Sequence, residues 1–265
     1  MKHKTATQAT LWTYSVLVAI WLIAPTLIVI PLSFTDKASL VFPPTGWSTR
    51  WYEKFFTDPT WMTALGNSFT VAVIVVIIST LIGTAAALGL HRWTRRNAAA
   101  VVQAGLLAPV VVPAIILAIG IYSIFLKFQL LGTVLGFVLA HSVLAMPFVV
   151  ISVTAALANF DERLETAAAS LGAGKWPTFF KVTLPLIIPG VVSGALFAFV
   201  TSFDEVVLSI FIKSPYLETL PVKMYGSVTR DTDPTIAAAA TMIMLITTVI
   251  IVIGLLSMNR KKRVR

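Results

Sequence analysis

Asp204 and Glu205 stand side by side in an otherwise apolar stretch running from Leu186 to Ile212. A carboxylate at bilayer depth is costly unless it faces a cavity, a partner or a ligand. The pair, with Phe203 beside it, is therefore a candidate lining for a pathway that accepts a positively charged solute. The plainer reading is an ion pair or hydrogen bond to another subunit, or a position near the outer interface. His141 lies beside Ser142 in a different apolar run and is expected to be packed and hydrogen-bonded. Other chemistry is scarce. The chain has no cysteine, which excludes disulfides, thiol nucleophiles and iron–sulfur ligation. No His/Asp/Glu cluster has metal-ligand spacing. Serines and histidines occur without an elbow or a triad order, so no catalytic residue is assigned. No G-x-x-x-x-G-K-[ST] loop is present, so the chain is expected to bind no nucleotide cofactor of its own.

The elements that would hold these residues are membrane helices. Of 265 residues, 57% are hydrophobic and 12% charged, with a mean hydropathy of +0.90. Soluble domains carry about twice that share of charge. Six apolar stretches are long enough to cross a hydrocarbon core, which takes roughly 20 helical residues. They run from Leu11 to Phe34, Leu65 to Leu90, Gln103 to Leu126, Leu131 to Leu157, Leu186 to Ile212 and Ile236 to Met258. Continuous apolar runs without period-2 alternation exclude a β-barrel, and helices alone then satisfy the backbone in lipid. The fold class is all-α, a single transmembrane domain. The first stretch is too long for a signal h-region and lacks a cleavage site, so it is read as a retained helix. Pro25, Pro31, Pro109, Pro113, Pro147 and Pro189 lie in or at the ends of spans and are expected to kink them.

The net charge of +9 does not indicate nucleic acid, because the basic residues sit in short clusters beside apolar runs. With a cytoplasmic N-terminus, the inner segments hold 13 Lys and Arg against 7 outside. The inner set is Lys2, Lys4, Arg92, Arg95, Arg96, Arg163, Lys175, Lys181, Arg260, Lys261, Lys262, Arg263 and Arg265. Both termini are therefore expected in the cytoplasm. The outer loop from Asp36 to Ala64 carries Trp47, Trp51, Tyr52, Phe55, Phe56 and Trp61, which fits an interfacial helix, N-capped by Ser48 and ending before Pro59.

One inner loop is long, from Ala158 to Pro185. Asn159 or Asp161 can cap a helix, and Asn159 with Glu162 makes an approximate capping box. Leu164, Ala167, Ala168 and Leu171 recur on one helical face. Gly172 and Gly174 supply the stop. Pro177 starts a second short helix, which Leu184-Pro185 ends before the fifth span. The product is a small Ala-rich helix outside the membrane. It suits docking into a groove on a cytoplasmic partner, or else lying on the membrane surface.

The run Glu165-Thr166-Ala167-Ala168-Ala169-Ser170-Leu171-Gly172-Ala173, followed by Val182-Thr183-Leu184-Pro185, resembles the EAA loop of binding-protein-dependent ABC importers. Aligned on Gly172, residues Ala167, Ala168, Leu184 and Pro185 fall in register. The family's glutamate position holds Thr166, with Glu165 one residue earlier, and its isoleucine position holds Val182. The resemblance spans the chain and is nearest the spermidine/putrescine class, through Trp51-Tyr52, Asn67-Ser68, Pro109 to Pro113, Ser202 to Val206, Thr219-Leu220-Pro221 and Asp233-Pro234. It implies a type I, MetI-like permease of six transmembrane helices with a cytoplasmic coupling helix between the fourth and fifth. It implies a bacterial inner-membrane location and a solute such as a polyamine. It implies as partners an ABC ATPase dimer carrying ATP and magnesium, a second homologous permease subunit and a soluble periplasmic or extracellular solute-binding protein. ATPase docking would fall to Glu165, Thr166, Ala167, Ala168, Leu171, Gly172, Ala173, Leu184 and Pro185. The alternative is an ion-gradient-driven secondary transporter, which predicts inverted repeats and broken helices at matching positions.

Overall fold

The computed structural model describes residues 2–93, 96–230 and 233–263. Lys2, Lys4, Arg95, Arg96, Arg260, Lys261, Lys262, Arg263 and Arg265, which dominate the expected inner charge, lie outside the described residues or side chains. In chain order the helices are α1 Lys2–Ser33, α2 Arg50–Thr57, α3 Pro59–His91, α4 Arg96–Val111, α5 Ala114–Lys127, α6 Val134–Leu157, α7 Arg163–Ser170, α8 Lys175–Thr178, α9 Leu184–Phe203, α10 Val207–Ile212, α11 Leu220–Arg230 and α12 Thr235–Arg263. A π turn, Phe179–Thr183, joins α8 to α9. Among the described residues, five helical runs are long and apolar enough to cross a membrane, and a sixth span is completed if α4 and α5 count as one.

Two of the expected spans, the third and the fifth, are interrupted. The third is broken, with α4 and α5 meeting at 102°. At about 1.5 Å per residue the two pieces reach only about 24 and 21 Å, short of a hydrocarbon core of about 30 Å. Pro113 is the cause: its ring disfavours helix at Val112, and its own φ, ψ of −54°, 130° are extended. The fifth stretch is also interrupted, since α9 ends at Phe203 and α10 begins at Val207. In contrast, Leu184-Pro185 does not end the preceding helix, because Lys175–Phe203 is one helical run of 29 residues. The Leu184 amide donates to the Phe179 carbonyl, five residues back. That widened turn absorbs the amide that Pro185 lacks.

The chain divides into two units. One holds residues 1–62 and 224–246. Here the loop that follows α1 folds back on the end of that helix. The Trp51 indole donates to the Thr35 carbonyl at 2.7 Å, and Tyr52 and Ser33 hydroxyls are 2.7 Å apart. Lys54 pairs with Asp233 ahead of α12. Trp51, Phe55 and Trp61 are buried while Trp47 and Phe56 are exposed, so half of the expected headgroup belt is core instead. Ser48 accepts from the Arg50 amide at 3.2 Å, but Thr49 is the residue at the helix start.

The second unit holds residues 63–223 and 247–265. Its centre is α6, of whose 24 residues a dozen are buried. Small residues let α9 close on it: a Cβ on Gly190 would sit 2.5 Å from Ala156 Cβ, and one on Gly194 would sit 2.9 Å from Val149 Cα. Phe203 is fully buried against Phe199 and Phe69, at centroid distances of 5.1 and 5.2 Å.

Candidate coupling loop and membrane site

The loop between α6 and α9 forms locally. The Asn159–Glu162 box is not made, because the Asn159 amide donates back to the Ala155 carbonyl. Asp161 does that work, accepting from the Arg163 amide at 3.0 Å. At the other end Gly172 takes φ +84°, its amide donates to Ala169, and the Ala173 amide donates to Ala168. That pair of bonds is a Schellman stop, which calls for a residue tolerant of positive φ. No residue of α7 is buried. Leu171 is 89% exposed and Trp176, stacked on Phe180 at 6.0 Å, is 73% exposed. Ala167 is exposed, and Ala168 and Ala173 are half-buried. An unpartnered apolar knob of this kind is what a groove on another protein would cover.

Glu165 behaves differently from its neighbours. Its carboxylate accepts from Arg92 Nη2 at 2.8 Å and from the Thr183 hydroxyl. It thereby ties α7 to the end of α3 and to the π turn. Thr166 stays exposed, its hydroxyl donating to the Glu162 carbonyl. His91 Nε2 lies 3.1 Å from Glu162 Oε1. These groups border a cleft of about 740 Å³ that Trp93, Phe160 and Lys175 also line. Leu184 and Pro185 sit half-buried in the first turn of α9 rather than on the knob.

At the far end of that helical run, Asp204 and Glu205 occupy the break between α9 and α10. Glu205 Oε1 accepts from the Leu208 amide at 2.7 Å, capping α10. Asp204 is exposed, and among the described residues no hydrogen bond to its carboxylate is present. The last carbonyls of α9 and two carboxylates make this break electronegative, which favours a cation. Phe203 points into the aromatic cluster instead of the break. His141 is packed and hydrogen-bonded as expected, but sequence reasoning missed its partners, Ser202 and Ser209, which bracket the acids. Because His141 is 61 and 68 residues away from them, no local pattern signalled the partnership.

The comparisons agree with this architecture. Residues 79–263 match the family described as binding-protein-dependent transport system inner membrane component. The putrescine transport system permease protein PotI of Escherichia coli (strain K12) is 34% identical over 233 residues, 84% of this chain and 82% of that protein. The spermidine/putrescine transport system permease protein PotC of Haemophilus influenzae is 32% identical over 238 residues, 88% and 90% of the two chains. In fold, the chain is similar to a bacterial ABC transporter involved in the import of alginate, with a TM-score of 0.70 at 16% identity over 97% of each chain. It is also similar to the MetNI methionine ABC transporter, with a TM-score of 0.62 at 17% identity, over 75% of this chain and 95% of that one. The two helix breaks are a trait that gradient-driven carriers share, but the relatives are subunits of a different kind of machine. The fold is that of MetI-like importer permeases, and the chain, a multi-pass, non-catalytic permease subunit, belongs to the family of inner membrane components of binding-protein-dependent transport systems.

Proposed function

We propose that this chain forms half of the translocation pathway for a small cationic solute of the polyamine class, and that Asp204 is its contact with that cation. The observation that carries the reading is the Asp204 carboxylate, exposed at a helix break and without a hydrogen bond among the described residues. The names of the relatives, putrescine and spermidine/putrescine permeases, point to the same chemistry. Glu205 contributes field strength while its own oxygen holds α10 in place. Phe203 supports the site by packing.

A soluble binding protein delivers the solute from outside, and a second, homologous permease completes the pathway. ATP and magnesium bind to a pair of ATPase subunits in the cytoplasm and not to this chain, whose termini lie on the same side. The ATPases grip the exposed knob of α7 with Leu171, Gly172 and Ala173 at its tip. One helical run, Lys175–Phe203, reaches from that knob to the acidic break. Movement of the knob on ATP binding is conveyed along it, so that the pathway switches between two discrete arrangements. The test is initial uptake of labelled putrescine by the whole importer. Asp204→Asn removes the charge with little change of shape and should lower uptake about tenfold or more, the loss of one charge-assisted contact. Unchanged KM and maximal rate with normal assembly contradict the reading.

A further inference from the structure

His141 is fully buried in α6. A buried imidazole is tolerated only when its ring nitrogens are bonded, and here both are. Nδ1 lies 3.1 Å from the Ser202 carbonyl oxygen and 3.0 Å from the Ser202 hydroxyl, and Nε2 lies 2.9 Å from the Ser209 hydroxyl. A carbonyl oxygen can only accept, so Nδ1 carries a proton and Nε2 accepts from Ser209.

The placement of the two serines matters more than the bonds themselves. Ser202 lies in the last turn of α9, where carbonyls have no partner within the helix. Ser209 lies in α10. One ring therefore straddles Asp204, Glu205 and Val206, the segment between the two helices, where the ladder reaches only its ends: the Asp204 amide donates to the Val200 carbonyl and the Val206 carbonyl accepts from the Ile210 amide. The Glu205 cap fastens this segment on its α10 side only. Phe137, 5.7 Å away, closes the ring in from its own helix.

We propose that His141 is a positioning residue: it clamps the end of α9 to α10 and so sets where the Asp204 carboxylate stands. This rests on the reading of Asp204 as the cation contact. It goes further in making selectivity depend on a side chain that never meets the solute.

The whole importer, with its partner subunits and putrescine as probe, tests this in two ways. The chain has no cysteine, so Asp204→Cys gives it one thiol, and the rate at which a charged thiosulfonate labels this subunit reports that position without any transport. His141→Ala should change the labelling rate about tenfold, and Ser209→Ala about threefold, as expected when a buried polar group loses its partner. His141→Asn, whose amide nitrogen takes the place of Nδ1, should recover most of the native rate. With Asp204 intact, Ser209→Ala and His141→Asn should raise KM for putrescine more than they lower the maximal rate, whereas a general loss of folded protein lowers the maximal rate alone. An unaltered labelling rate in His141→Ala overturns the clamp. Should that variant not assemble, an unaltered rate in Ser209→Ala overturns it, as does a His141→Asn chain no better than His141→Ala. Altered labelling together with unaltered uptake in Asp204→Asn supports the clamp and overturns only the role of Asp204.

Discussion

The α7 knob and the acidic break stand at the two ends of one helical run and are held in different ways. The knob is made mostly from neighbours in sequence: Asp161 starts α7, Gly172 stops it, Leu171 at its tip is 89% exposed, and Glu165 reaches back to Arg92 and Thr183. The break is made from distant residues: α6 reaches across to both α9 and α10, and Glu205 caps the second. A surface built locally and left exposed is free to serve a partner. A site built by long-range bonds is rigid enough to place one charge.

That contrast gives a graded set of expectations. The largest effect is at the knob. Leu171→Asp should reduce ATPase co-purification about tenfold or more, as for a central interface residue. Because Leu171 is 89% exposed, the thermal stability of the chain itself should not move. A fall in stability without loss of the ATPase would reverse the assignment. Next is Glu205, where Glu205→Ala should cost about 1 kcal/mol as a lost cap, read as a lower melting temperature in detergent. Glu205→Gln keeps an accepting oxygen and should cost less; equal losses would mean that charge, not capping, is what matters there. Smaller again is Glu165→Gln. Its pair with Arg92 is partly solvated, so the change should stay within about 1 kcal/mol, with ATPase binding largely retained. Loss of ATPase binding in that variant would put the Glu165 carboxylate in the dock itself.

The smallest effect is at Asp233. Burial alone would raise the Asp233 carboxyl, but hydrogen bonds from Lys54 and Thr235 outweigh it and hold the group below its ordinary 3.8. A depressed carboxylate stabilises the fold above its ordinary value, and that contribution fades as pH falls through the lowered one. Melting temperatures should therefore hold down to about pH 4 and drop faster below it in the native chain than in Asp233→Asn. Parallel curves would show that the Lys54 pair contributes nothing.

The same contrast explains what could be read in advance. The α7 stop was legible because a positive φ at Gly172 needs only glycine and its neighbours. The helix spans were legible from apolar length. The Asn159–Glu162 box failed because the Asn159 side chain turns back to the Ala155 carbonyl, leaving Asp161 to accept from the Arg163 amide. Leu184-Pro185 looked like a terminator because a proline denies one hydrogen bond, and a π turn five residues long removes the need for it. The break after Phe203 was hidden inside an apolar run. It depends on Ser202, Ser209 and His141, which are separated by more than 60 residues and whose partnership no local pattern encodes. The aromatic loop before α3 was only half legible for a related cause: Trp51 is buried with its indole on the Thr35 carbonyl, and Phe55 and Trp61 are buried against each other.

The most direct measurement of the central claim is a mild-detergent purification of this chain from its native membranes, with mass spectrometry of what accompanies it. The account predicts a second six-helix permease and an ATPase carrying a phosphate-binding loop, both in fixed proportion, with the ATPase absent from the Leu171→Asp preparation. Recovery of the chain alone, with putrescine uptake intact, would contradict it.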